Sequence, residues 1–367
     1  MDFRYHEFDA EALSKEQLLK RLHDLFRQLL LRTNGDVEQA LSWLKQLADE
    51  HSLFRGRLDV DDFRRYLESK GEITPPTPEM PAQLTSRGAK GLRARSLEEM
   101  FRGLRPDAAG DHRTPFAGSG GERLSETRAY EFGDAVERIA FSPSIKNALK
   151  RTGIDGFDLR EEDLEVYEVE HKTSTATVMM IDVSHSMVLY GEDRITPAKE
   201  VALAMAELVT TRFPKDSLEV VLFGNEAWRV PLDELPYISY GPFHTNTKAG
   251  LVLAREILRK KRQANRQILM ITDGKPSCLT EPDGSLYKNS FGLDRRVVNK
   301  TLEEADNLRR LGIPVTTFML TEDPTLVEFV ETFTQVNRGK AYLSRPDALG
   351  SYLFVDYLRN RRRRSVD

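Results

Sequence analysis

The stretch Thr177-Val178-Met179-Met180-Ile181-Asp182-Val183-Ser184-His185-Ser186-Met187 decides the fold. An unbroken apolar run ends in a carboxylate, and two hydroxyls follow at alternate positions. A run this short, bounded by polar residues, fits a strand covered on both faces, as in a parallel sheet. Three comparable runs follow it: Leu218 to Phe223, Gln267 to Thr272 and Ile313 to Leu320. Helical spacing fills the gaps. Thr196 with Pro197 at the first helical position leads into Val201, Met205, Leu208 and Val209; Thr247 leads into Leu251, Ala254 and Leu258; and Leu302 to Leu311 follows the third run. The alternation predicts an α/β domain with a doubly wound, Rossmann-like, mostly parallel sheet, beginning near Thr173.

In such a sheet, ligands bind outside the carboxyl ends of the strands, where the loops converge. Asp182, Ser184 and Ser186 leave the first run in the spacing D-x-S-x-S, so in an extended segment their side chains share a direction. Asp273 leaves the third run in Ile271-Thr272-Asp273-Gly274, and the loop Gly241 to Thr247 brings the Thr245 hydroxyl to the start of a helix. Carboxylates mixed with neutral hydroxyls suit a hard divalent ion. Mg²⁺ is expected first, with Mn²⁺ or Ca²⁺ as alternatives. His185 and Met187 point away from the three oxygens and are expected to flank or pack. The seven histidines show no zinc-site spacing.

D-x-S-x-S, then T-N-T before a helix, then T-D-G after a strand resemble, in that order, the metal-ion-dependent adhesion site of von Willebrand factor type A (VWA) domains. The site is also seen in integrin I domains and the D subunit of magnesium chelatase. The resemblance implies that Ser184, Ser186 and Thr245 contact the ion, that Asp182 and Asp273 hold it through water, and that a partner protein donates a carboxylate to the position left open. It extends over roughly residues 84 to 345 to a group of bacterial proteins with a C-terminal type A domain, through Leu84-Thr85 with the following helix, Arg128 to Asp134, Pro143 to Arg151, Phe213 to Leu218 and Asp273 to Pro276. His244 departs from that group, in which glycine is common before the threonine. Intracellular bacterial type A proteins resemble partners of AAA+ ATPases of the MoxR or chelatase type. This chain has no G-x-x-x-x-G-K-[ST], so such an ATPase is expected in trans.

The remaining chain divides by composition. Ser14 with Gln17 reads as a capping box before Leu18, Leu22, Leu25, Phe26 and Leu29, and Asn34-Gly35 is a stop signal. Asp36 caps a second helix and Asp61-Asp62-Phe63 opens a third that stops at Gly71, giving a small all-helical module over 1–71. Gly35 to Leu44 also faintly resembles ubiquitin-associated three-helix domains, which a plain amphipathic helix explains equally well. Residues 72–123 read as a linker with one short helix capped by Thr85, because 72–83 carry four prolines. A segment over 124–172 leads into the VWA domain at 173–360, and 361–367 form a basic tail.

The 367 residues carry a formal charge of -4 and one cysteine, Cys278. No global field favours nucleic acid or an anionic membrane, and no intrachain disulfide can form. With no leader pattern and no apolar run long enough to cross a bilayer, a cytoplasmic protein that does not engage membranes is expected. Two other function classes find partial footing in the sequence. A phosphatase-like enzyme would use Asp182 as nucleophile, but haloacid-dehalogenase-type enzymes need an acid where Ser184 stands. A nucleic-acid binder would use Arg359 and Arg361 to Arg364, cations that also complement a helix C-terminus. No catalytic residue is expected.

Overall fold

The computed structural model describes residues 15–50, 58–103, 122–131, 139–153, 158–170, 174–191, 193–241, 243–273, 275–289, 292–321, 323–346 and 348–363. The chain forms two compact units, Met1–Ala108 with Thr175–Tyr357, and Ala109–Ser174 with Leu358–Asp367.

The first unit opens with α1 (Lys15–Arg32), α2 (Val37–Glu50) and α3 (Val60–Ser69). Their apolar stripes meet in one core of Leu22, Phe26, Leu30, Leu41, Leu44, Phe63 and Leu67. Phe26 and Phe63 pack edge to face at 5.7 Å between ring centres. The predicted stop after α1 is a left-handed turn through Asn34 and Gly35, at φ 52° and 80°. Asp36 caps α2 as expected, accepting the Gln39 N–H at 2.9 Å. The cap of α3 is Asp59 rather than the Asp61-Asp62 pair, and it forms a reciprocal box with Asp62. Ser14 lies outside the described residues.

The segment expected as a linker is folded. Ile73 and Ala82 are buried in the three-helix core, and Thr74 pairs with Gln83 across the proline-rich turn. The helix after it, α4 (Ser86–Gly103), is capped by Thr85 as predicted, but it is 18 residues long and packs on a helix of the α/β domain. Prolines excluded helix from 72–83, but an extended segment can still dock through alternate side chains.

The second unit contains an antiparallel pair, β1 (Glu122–Ala129) with β2 (Glu165–Glu170), and between them α5 (Phe141–Thr152). The buried Ser144 hydroxyl donates to the Ala140 carbonyl at 2.8 Å and accepts the Glu165 N–H at 2.9 Å, fastening α5 to β2. Arg151 donates to both carboxylate oxygens of Asp163, at 3.0 and 2.6 Å. Residues 132–138, part of one segment that carried the resemblance, lie outside the described residues.

The rest of the first unit is a six-stranded sheet built from β3 (Thr175–Asp182), β4 (Ser217–Phe223), β5 (Ala227–Val230), β6 (Asn265–Thr272), β9 (Val315–Met319) and β10 (Lys340–Leu343). A small hairpin, β7 (Cys278–Thr280) with β8 (Leu286–Lys288), stands outside it. The order is β10-β9-β6-β3-β4-β5, parallel throughout except for the antiparallel edge strand β5. One face is covered by α7 (Thr247–Arg259), α8 (Arg295–Arg310) and α9 (Pro324–Asn337), packed on Val178, Met180, Val221, Ile268 and Val315. The other face meets α6 (Ile195–Arg212) and α10 (Leu349–Arg363), whose Tyr357 packs on Phe213. This is the doubly wound sheet that the sequence predicts. β3 is buried along its whole length. The chain moves to one side of β3 for β4 and to the other for β6, which makes the carboxyl end of β3 the switch point of the sheet.

Candidate metal centre

Asp182 is the last residue of β3 and is fully buried. Its Oδ1 accepts the Ser184 N–H at 2.9 Å, which turns the chain, and its Oδ2 accepts the Thr272 hydroxyl of β6 at 2.7 Å. The chain does not stay extended beyond it. A 3-10 turn begins at His185, and this turn, not strand alternation, brings the Ser184 and Ser186 hydroxyl oxygens to 3.0 Å of each other. His185 is exposed and Met187 is buried, so the two flank and pack as predicted.

Asp273 follows the last residue of β6, is buried, and accepts the Lys275 N–H on Oδ1 at 3.3 Å. Burial, together with the negative charge of nearby Asp273, pushes the Asp182 carboxyl up to about 7. Among the described residues neither carboxylate makes an ion pair. Two buried acids side by side without a cation are costly when both are ionised. The two hydroxyls and two carboxylates at this edge therefore fit a small divalent cation, which would supply the missing positive charge among hard oxygen donors.

The loops are tied to one another by backbone. The His185 N–H donates to the Phe243 carbonyl at 3.1 Å, joining the first loop to the one before α7. In that second loop the Thr245 N–H donates to the Ser277 hydroxyl at 2.9 Å, and the Thr245 carbonyl accepts the N–H groups of Ser277 and Cys278 at 2.9 and 3.2 Å. Thr245 itself is buried. The adjoining Asn246 caps α7 by accepting the Ala249 N–H at 3.1 Å, and its amide donates to the Asn225 carbonyl and the Thr280 hydroxyl, both at 3.0 Å. The backbone N–H of His244, the departure from the resembled pattern, donates to the Asn225 side chain at 2.8 Å. Burial and the nearby Lys288 and Lys275 hold the His244 ring below its ordinary pKa.

All five predicted residues thus lie at or just beyond the carboxyl ends of β3 and β6 or in the loop before α7. Asp182, Ser184 and Ser186 come from one turn, Asp273 is close enough to act on Asp182, and Thr245 is stitched to the hairpin that follows Asp273. Sequence reading missed Thr272, Ser277 and Asn225, which orient these groups. Gly224 and Gly241 are the legible part of that support. A Cβ on Gly224 or Gly241 would come within 2.8 or 2.2 Å of the Phe243 side chain, so only glycine admits Phe243 between them.

Over residues 175–358 the chain matches the family model described as Rv0959-like protein, vWA domain, and over 122–169 the model of the third domain of the same proteins. The chain belongs to the Rv0959-like vWA domain family. It is 35% identical over 261 residues to the protein Rv0959 of Mycobacterium tuberculosis, an alignment covering 69% of this chain and 38% of that one. The protein Mb0984 of Mycobacterium bovis matches with the same figures. The chain therefore spans 38% of the length of these relatives. Among solved structures it is similar to the PilB minor pilin of Streptococcus sanguinis, at 14% identity and TM-score 0.42, over 54% of this chain and 64% of the pilin. It is also similar to the SpRpn10 VWA domain, at 14% identity and TM-score 0.36, over 49% of this chain and 93% of that domain.

Proposed function

We propose that this vWA domain is a Mg²⁺-dependent protein-binding module, in which Asp182, Ser184, Ser186, Thr245 and Asp273 hold the ion and a partner protein completes its shell with a carboxylate. The observation that carries the reading is the buried pair Asp182 and Asp273, which make no ion pair among the described residues, beside two converging hydroxyls. When bound, the ion supplies a Lewis-acidic centre for an oxygen ligand. The residues of this chain set its geometry. Thr272 and the Ser184 N–H orient Asp182, Ser277 fixes the backbone of Thr245, and the Phe243 carbonyl anchors the loop that carries Ser186. A vWA fold fits an adaptor, and the partner that best matches the resemblance in the sequence is an AAA+ ATPase of the MoxR or chelatase type acting in trans. Both oxygens of Asp182 are already engaged in hydrogen bonds, which disfavours its use as a phosphatase nucleophile.

Affinity capture from the lysate of the source organism tests the reading, with baits of wild type in Mg²⁺, wild type in chelator and Asp182→Ala in Mg²⁺. An ATPase held by the first bait alone supports the metal-bridged adaptor. Identical proteins on all three baits would remove the ion from the contact.

A further inference from the structure

Beside the metal loops lies a cavity of about 290 Å³ with two walls. One wall continues the D-x-S-x-S loop and its neighbour, with Val188, Asp193, Thr196 and Tyr240. The other is the end of α1, with Arg32 and Asn34. Both walls are held in place. On the metal side the Gly241 N–H donates to the Val183 carbonyl at 3.2 Å and the Arg194 N–H to the Met187 carbonyl at 3.1 Å. On the helical side the buried Lys199 of α6 donates to the Leu31 carbonyl at 2.5 Å and to Asn34 Oδ1 at 2.8 Å. The Tyr237 ring sits so close to Gly35 that a Cβ there would come within 2.5 Å of it.

The cavity is within reach of the ion site. Val188 is two residues beyond Ser186, a span of at most about 7 Å. A partner segment with one carboxylate on the ion can therefore place a residue two or three positions away in the cavity. The charges in the cavity select that residue. Arg32 is exposed and makes no ion pair among the described residues. Glu200 feels its charge but stays outside ion-pair distance. Asp193 lines the same cavity, and its Oδ1 accepts the Thr196 N–H at 3.0 Å. Tyr240, 50% exposed, lines the same cavity and offers an aromatic ring there. Arginine binds a carboxylate with two parallel hydrogen bonds, and arginine with tyrosine are residue types in which interface energy concentrates.

We propose that this cavity is a second subsite for the same protein ligand, taking onto Arg32, against Tyr240, a second carboxylate two or three residues from the one on the ion. The inference rests on the metal-bridged reading above and adds the partner's motif, a pair of closely spaced acids. It also makes the helical module part of the recognition surface.

The test is a selection of phage-displayed random peptides of roughly twelve residues, about 40 Å when extended, on the full chain in Mg²⁺ with elution by chelator. The selected peptides are expected to share one acid and a second acid two or three positions away. A fluorescent copy of the tightest peptide is expected to bind Arg32→Ala about tenfold more weakly, while calorimetric Mg²⁺ affinity stays at the wild-type value. Arg32→Lys should recover only part of the loss. Peptides with a single shared acid, or equal binding by Arg32→Ala, overturn the subsite and leave the ion site standing. A selection that yields no Mg²⁺-dependent peptide overturns both.

Discussion

Asp182 combines the burial of a core residue with the charge of a ligand, and that conflict predicts a change of sign. Without metal, Asp182→Asn removes one of two repelling buried charges, so the variant is expected to melt higher than wild type at pH 8. In Mg²⁺ the order should reverse. Only wild type gains from the ion, by about 2.7 kcal/mol when the metal stands at 100 times its Kd. Scanning calorimetry of both proteins with and without Mg²⁺ checks this, and a variant that gains as much as wild type would take the ion away from Asp182. The residues around it separate what sequence can and cannot show. D-x-S-x-S is contiguous and therefore legible, although its hydroxyls converge through a 3-10 turn and not along a strand. Ser277 is 32 positions from the threonine it holds and Thr272 is 90 from the carboxylate it orients, so no local spacing reveals either. Ser277→Ala is expected to weaken Mg²⁺ binding by about tenfold, the usual effect of losing a residue that orients a metal ligand, and isothermal titration would report it.

At the scale of elements, the four central strands were legible because β3, β4, β6 and β9 are buried runs of apolar residues. The edge strands β5 and β10 were not. Ala227–Val230 and Lys340–Leu343 are short, partly exposed and mixed in polarity, so their strand character comes from the neighbour they pair with. The same dependence on distant partners makes Asn337, the last residue of α9, a joint between elements. Its buried amide donates to the Ala305 and Ile313 carbonyls and accepts the Val315 N–H at 2.7 Å, joining α8, α9 and the start of β9. Asn337→Ala removes three buried hydrogen bonds at once. Denaturant unfolding is expected to show a loss of about 3 kcal/mol or more, and a loss under 1 kcal/mol would mean that the joint is dispensable. In the second unit, the Arg151 side chain and the Arg160 N–H hold the Asp163 carboxyl down to about 2. A carboxyl depressed in the folded state adds stability above its unfolded pKa near 4, and that stability is lost as pH falls from about 4 toward 2. The protection of α5 against hydrogen exchange, relative to the intrinsic rate at each pH, should therefore fall over that window, and Arg151→Met should flatten the change. Wild-type protection that stays constant from pH 5 to 2 would contradict the assignment.

At the scale of the molecule, the boundary that composition places near residue 173 is the beginning of the sheet, yet it is not the edge of a self-sufficient body. Helix α6 is buried around most of its circumference, with Val201 through Leu208 at 7% exposure or less. A helix of that kind is an inner layer. Its outer cover within this unit is α4, whose Arg93 lies 3.7 Å from Glu207 of α6 and 2.8 Å from Asp233, while the end of α1 receives Lys199. Composition hid this arrangement because α4 follows four prolines and carries glycines and charges that read as a connector. Cutting the chain to 173–367 would therefore uncover an apolar helix face and leave the Lys199 ammonium without its two acceptors, each lost contact costing about 1–3 kcal/mol. The truncated chain is expected to self-associate and to melt well below the full chain, and Lys199→Met in the full chain should lower the melting point without causing association. Light scattering and calorimetry distinguish these outcomes. A monomeric 173–367 that melts with the full chain would show the helical module to be a passive neighbour of the domain. A destabilised one makes the module part of the scaffold that holds the metal loops, since α6 is the helix into which the D-x-S-x-S loop runs.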